Sequence, residues 1–136
     1  MKKKLPIGLS DFKRLIEDDY YFVDKSLLIK EVIDSGSQVL LLTRPRRFGK
    51  TLNLTMLRNF FEKTRTSNKH LFASLAIWKC GKTYHLRQGI FPVIYITFKD
   101  LKKNTWDDCL LGLRRIIAEE CSRLLRDTTS DSLGMR

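Results

Sequence analysis

The feature that most constrains this chain is an unbroken apolar run, Val39-Leu40-Leu41-Leu42, which ends at Thr43-Arg44-Pro45-Arg46-Arg47-Phe48-Gly49-Lys50-Thr51. A run with no polar alternation reads as a strand covered on both faces, and a helical pattern follows it through Phe61. Strand, loop and helix in that order are the context of a phosphate loop. Gly49 lets the backbone approach a phosphate, Lys50 reaches the β and γ oxygens of a nucleoside triphosphate, and the Thr51 hydroxyl can ligate Mg²⁺. The following helix adds unpaired N–H groups and the positive end of its dipole. Arg46 and Arg47 are placed either to neutralise phosphate charge or to pair with acidic residues of a segment outside this chain. With Phe48 they complete the candidate cofactor-binding set.

The motif is degenerate. The full pattern G-x-x-x-x-G-K-[ST] wants glycine where this chain has Arg44. A bare G-K-[ST] should arise by chance in about one chain in twenty of this length, given average residue usage. A second copy, Gly81-Lys82-Thr83, serves as an internal control. No sustained helical pattern follows it, so it reads as a turn between short elements.

At 136 residues and 43% hydrophobic content, the chain is expected to build one core and one domain, residues 1–126, with 127–136 a small polar, disordered tail. Lys and Arg number 26 against 15 Asp and Glu, a formal charge of +11, which favours nucleotide, nucleic acid or an acidic protein surface as partner. The cations fall in several segments, so solvated faces, or an acidic counterpart outside this chain, weigh more than a dedicated nucleic-acid surface. Cys80, Cys109 and Cys121 have no C-x-x-C spacing, and His70 and His85 are not at ligand distance from them in sequence. Neither zinc nor a disulfide framework is expected. The short apolar piece after Met1-Lys2-Lys3-Lys4 is broken by Pro6 and Gly8, and no run is long enough to cross a bilayer. A cytoplasmic chain with no membrane partner is the expectation.

Taken in order, Ser10 can cap a helix from Asp11 to about Asp18, and Tyr20-Tyr21-Phe22-Val23 suits a short strand or an extended packing segment. These aromatic residues read as core rather than as a base-stacking platform. Asp24 can cap a helix from Lys25 to about Asp34, which Gly36 is placed to end. Residues Glu62 to Lys69 form a polar loop, and His70 to Ile77 hold enough apolar residues for a helical turn. Val93-Ile94-Tyr95-Ile96-Thr97-Phe98 makes the second convincing strand, introduced by Pro92. A long helix starts at Asn104 or Thr105 and runs to about Arg126.

These residues carry a resemblance. Leu5-Pro6-Ile7-Gly8 with Asp11-Phe12, then Tyr20-Tyr21-Phe22-Val23-Asp24-Lys25-Ser26, then Thr43 to Thr51, then Phe91 to Asp100, look like successive blocks of the AAA-ATPase-like domain family. Its members are mostly bacterial, and many carry a nuclease-like domain of the PD-(D/E)XK type near the C-terminus. The resemblance accounts for the missing first glycine, since the family's loop reads Arg-Pro-Arg-Arg before Phe-Gly-Lys. It implies ATP and Mg²⁺ as cofactors, bound by Gly49, Lys50 and Thr51, with Lys50 on the terminal phosphates and Thr51 on the metal through ATP.

The expected fold class is therefore α/β, a P-loop NTPase-type three-layer architecture with a parallel sheet, preceded by an N-terminal helical segment. It is expected to be truncated, because a hydrolase also needs an apolar strand ending in a carboxylate that holds magnesium. Asp100 is the candidate, but its block resembles an earlier strand of the family, and a turn-capping role suits it better. The C-terminal ATPase half or the nuclease-like domain is the expected missing partner. Binding of ATP, with hydrolysis by this chain alone doubtful, is the leading expectation. A basic nucleic-acid module and an inert fragment with an exposed sheet edge are the alternatives.

Overall fold

The computed structural model describes residues 2–43 and 49–133, and side chains as far as residue 127. Local signals set the helix ends. The Asp11 carboxylate, rather than Ser10, caps α1, Phe12–Glu17, by accepting the Lys13 amide at 3.1 Å. Asp24 does not cap α2 but lies two residues ahead of its N-cap, Ser26, whose amide it accepts at 2.9 Å, and α2 runs Leu27–Ser35 until Gly36, at φ 58°, ends it as its position predicts. The helix after the candidate loop, α3, spans Lys50–Phe61 and closes where the periodicity places its end. The polar loop and helical turn after it are also present as expected, the latter as α4, Lys69–Phe72. A 3₁₀ helix, Ala76–Cys80, and the one-turn α5, Lys82–His85, complete this stretch. The long helix, α6, covers Trp106–Leu133 and so continues past Arg126.

Two compact units divide the chain, Met1–Phe91 and Pro92–Arg136. In the first, Phe12, Ile29, Met56, Phe60, Leu71, Phe72, Leu75 and Ile77 form the core. Phe72 is its centre, stacking on Phe12 and meeting the edge of Phe60, each at 5.1 Å between centroids. Phe22 joins by packing edge-on to Phe12 at 5.5 Å, so the core reading of the aromatic cluster holds for Phe22, whereas Tyr21 is exposed. The Thr55 hydroxyl of α3 accepts the Phe12 amide at 3.2 Å, which holds α3 against α1, and donates within its own helix to the Leu52 carbonyl at 2.8 Å. Residues 89–91 clasp the far end of α3. The Gly89 amide donates to Phe60 at 2.8 Å, the Phe91 amide to Phe61 at 3.0 Å, and the Lys63 amide to Phe91 at 2.8 Å.

No strand occurs among the described residues, and a single bridge between Glu62 and Phe91 is the whole of the β pairing there. The α/β reading, with its parallel sheet and P-loop NTPase-type layers, is thereby overturned. Val39 and Leu41 are each 84% exposed and Leu40 46%, with Leu42 half-buried, so the apolar run that suggested a doubly covered strand is not covered on both faces. In the second unit the backbone of the other expected strand is engaged by helix side chains instead of a ladder. The Tyr95 amide donates to Glu120 Oε1 at 2.8 Å, and Arg123 Nη2 donates to the Val93 carbonyl at 2.9 Å. Gly112 in α6 leaves room for Leu101, whose Cδ2 would lie 2.9 Å from any added Cβ. Among the described residues no helix is long and apolar enough to cross a membrane.

Candidate functional site

Packing of Met56 and Phe60 into the core fixes the axis of α3, and so fixes where its first turn lies. Gly49 sits just before that turn in the left-handed conformation, φ 77° and ψ 21°, which a residue without Cβ adopts at no cost. Its carbonyl accepts the Asn53 amide at 2.9 Å, the first bond of the helix ladder. Among the described residues no side chain caps this end, and the first turn holds no acidic residue. The amides ahead of Asn53 therefore lack intrahelical acceptors, as in any first turn.

Lys50 is the first helical residue and Thr51 the second, both exposed. A lysine here meets the positive end of the helix dipole, a placement that costs about 0.3–1 kcal/mol when no anion offsets it. Lys50 has no ion pair among the described residues. Ammonium, hydroxyl and first-turn N–H groups thus come together as a donor set, with the chemistry that a phosphate accepts. Of the other expected site residues, Arg46, Arg47 and Phe48 lie outside the described residues. Asp100 belongs to the second unit, exposed in the turn that the Leu101 amide closes on Phe98 at 3.1 Å. Among the described residues no cluster of three His, Cys, Asp or Glu could hold a metal ion.

The control motif behaves as a control. Gly81-Lys82-Thr83 opens only the single turn of α5, and its surroundings are otherwise engaged: His85 stacks on Trp78 at 3.9 Å and bonds the Trp78 carbonyl at 2.6 Å. Sequence reasoning missed a different feature, the distribution of charge. No Asp or Glu occurs between Glu62 and Asp100, although six cations lie within 63–91. Counting charge by segment rather than over the whole chain brings it out.

A family profile described as predicted AAA-ATPase (AAA-ATPase_like) matches residues 6–134. A curated relative, an uncharacterized protein in the vnfD 5' region of Azotobacter chroococcum mcd 1, is 38% identical over 101 residues. That alignment covers 71% of this chain and 17% of the relative, so the chain spans about a sixth of that protein's length. No solved structure matches the chain.

Proposed function

The chain belongs to the predicted AAA-ATPase family, and from that premise we propose that the start of α3 binds the phosphates of ATP together with Mg²⁺. The observation that carries this reading is the Lys50 ammonium, unpaired among the described residues, at the positive end of a twelve-residue helix that no described side chain caps. Two positive features at one point are unfavourable for the isolated chain, and a bound polyphosphate reverses the sign. Gly49 supports the reading by bringing the backbone to the turn without a side chain of its own, and among the described residues nothing lies within 4 Å of where its Cβ would be. The roles then follow from reach and charge. Lys50 takes the terminal phosphate oxygens, the first-turn amides take further oxygens, and Thr51 offers its hydroxyl to the metal.

The proposal is of binding. Hydrolysis requires a carboxylate at the magnesium, and the activity and substrates of a longer relative remain separate proposals.

Thermal unfolding of the full chain with and without Mg-ATP, in wild type and in Lys50→Ala, tests the reading. Nucleotide at one hundred times its dissociation constant stabilises the folded state by about 2.7 kcal/mol. A rise in the wild-type midpoint that the variant lacks is the expected result. A wild-type midpoint indifferent to Mg-ATP overturns the reading.

A further inference from the structure

Charge is segregated inside the first unit. Residues 2–43 hold seven acidic and seven basic side chains, whereas residues 49–91 hold eight basic and one acidic. In the first segment three of the seven cations form ion pairs, Lys3 with Asp19 at 2.8 Å, Arg14 with Asp18 at 3.5 Å and Lys30 with Asp34 at 2.8 Å. In the second the sole anion, Glu62, is buried and already paired with Arg58 at 3.2 Å.

The run from α4 through α5 is two-sided. Leu71, Phe72, Leu75 and Ile77 point into the core, while Lys69, Lys79, Lys82 and Arg87 are exposed. None of these four has an ion pair within 4 Å among the described residues. Lys79 and Arg87 approach Asp24 and Asp34, but those carboxylates are engaged, Asp24 by the amides of Ser26 and Ala76, Asp34 by Lys30 and Tyr84.

We propose that the outer surface of this run binds the phosphodiester backbone of a nucleic acid, at a place separate from the start of α3. Three considerations favour that partner over an acidic protein. Lysine dominates the set, and lysine is depleted at protein interfaces but common on phosphates. Acidic residues are absent from the run, so nothing on it repels a continuous polyanion. The cations are spread along successive short elements, so they meet a linear polyanion as a row of point charges. Sequence preference is not expected, because backbone contacts carry none.

The test is fluorescence anisotropy of the full chain with a labelled 20-base-pair DNA duplex, across roughly 50 to 200 mM salt. Four phosphate contacts give a slope of log K against log salt of about −3.6. In Lys69→Ala/Lys79→Ala/Lys82→Ala the slope is expected to flatten by about 2.7, one increment of 0.9 for each lost contact. Single Lys82→Glu is expected to weaken binding at low salt and serves if the triple variant unfolds. Lys13→Ala/Lys25→Ala, in the balanced segment, should leave the slope unchanged. Lys50→Ala should likewise spare it while abolishing the ATP response, so the two proposals fail separately. Absence of salt-dependent binding overturns the inference. So does equal loss in the two lysine sets, which would mean a net-charge effect, or displacement by polyglutamate as effective, charge for charge, as by unlabelled duplex.

Discussion

The fully buried Ser26 hydroxyl accepts the amide of Ile77, itself fully buried, at 3.1 Å, a bond that spans 51 positions of sequence. It ties the start of α2 to the 3₁₀ helix. Ser26→Ala is expected to cost about 1–3 kcal/mol, the cost of leaving a buried donor unsatisfied. Urea unfolding of wild type and variant reads the difference as a lower midpoint at unchanged slope.

The neighbouring Asp24 gives a pH prediction. Burial raises its carboxyl pKa, but hydrogen bonds from the Ser26 hydroxyl, the Ser26 amide and the Ala76 amide outweigh that and hold it below 3.8. A carboxylate depressed in the folded state contributes stability that is fully present above its unfolded value and is lost as pH falls through the folded one. The first unit should therefore weaken progressively below about pH 4. Asp24→Asn should be less stable near neutrality and show a shallower acid slope in midpoint against pH.

At Gly49 the prediction isolates backbone strain from packing. A Cβ there meets no atom of the described residues within 4 Å, yet φ is +77°, so Gly49→Ala should cost about 1–2 kcal/mol from conformation alone. Gly49→Asn should recover part of it, because Asn tolerates the left-handed region. Thermal midpoints in the order glycine, asparagine, alanine are expected.

In the core, Phe72→Ala removes a ring stacked on Phe12 and crossed by Phe60, and should cost about 3–5 kcal/mol. Phe72→Leu should cost less, since most of the volume is kept. Phe91→Ala, at a ring 39% exposed, should cost far less than either, and guanidinium unfolding of the three orders them.

In the second unit, Glu120 accepts the Tyr95 amide at 2.8 Å and pairs with Arg123 at 2.6 Å. Glu120→Ala should speed hydrogen exchange at the Tyr95 amide while leaving exchange in the middle of α6 nearly unchanged. Equal acceleration throughout the helix would show that the pair supports α6 rather than the extended segment.

The helices were legible in the sequence where their signals are local. Gly36 ends α2, Gly49 precedes α3, and the apolar spacing of Met56, Phe60 and Phe61 sets the length of α3. The lack of strands among the described residues was not legible, because an apolar run such as Val39 to Leu42 reports hydrophobicity and says nothing of a partner. Pairing is a property of two segments, and the carbonyl of Val93 is taken by Arg123. At the candidate site, the residue types of Gly49, Lys50 and Thr51 were readable, as was their position at a helix start. The cationic run was equally present in the residues but vanished in a whole-chain total, since Asp and Glu cluster before Gly36 and after Phe98.

The clasp of residues 89–91 on the end of α3 also imposes an order of assembly. Helix α3 closes through neighbours in sequence, but the carbonyls of Phe60 and Phe61 wait for donors roughly thirty residues later, at the entropic cost of closing that loop. During synthesis the first unit is therefore incomplete until Phe91 has emerged from the ribosome, and the Phe61 ring lacks the neighbour it meets at 5.9 Å until then.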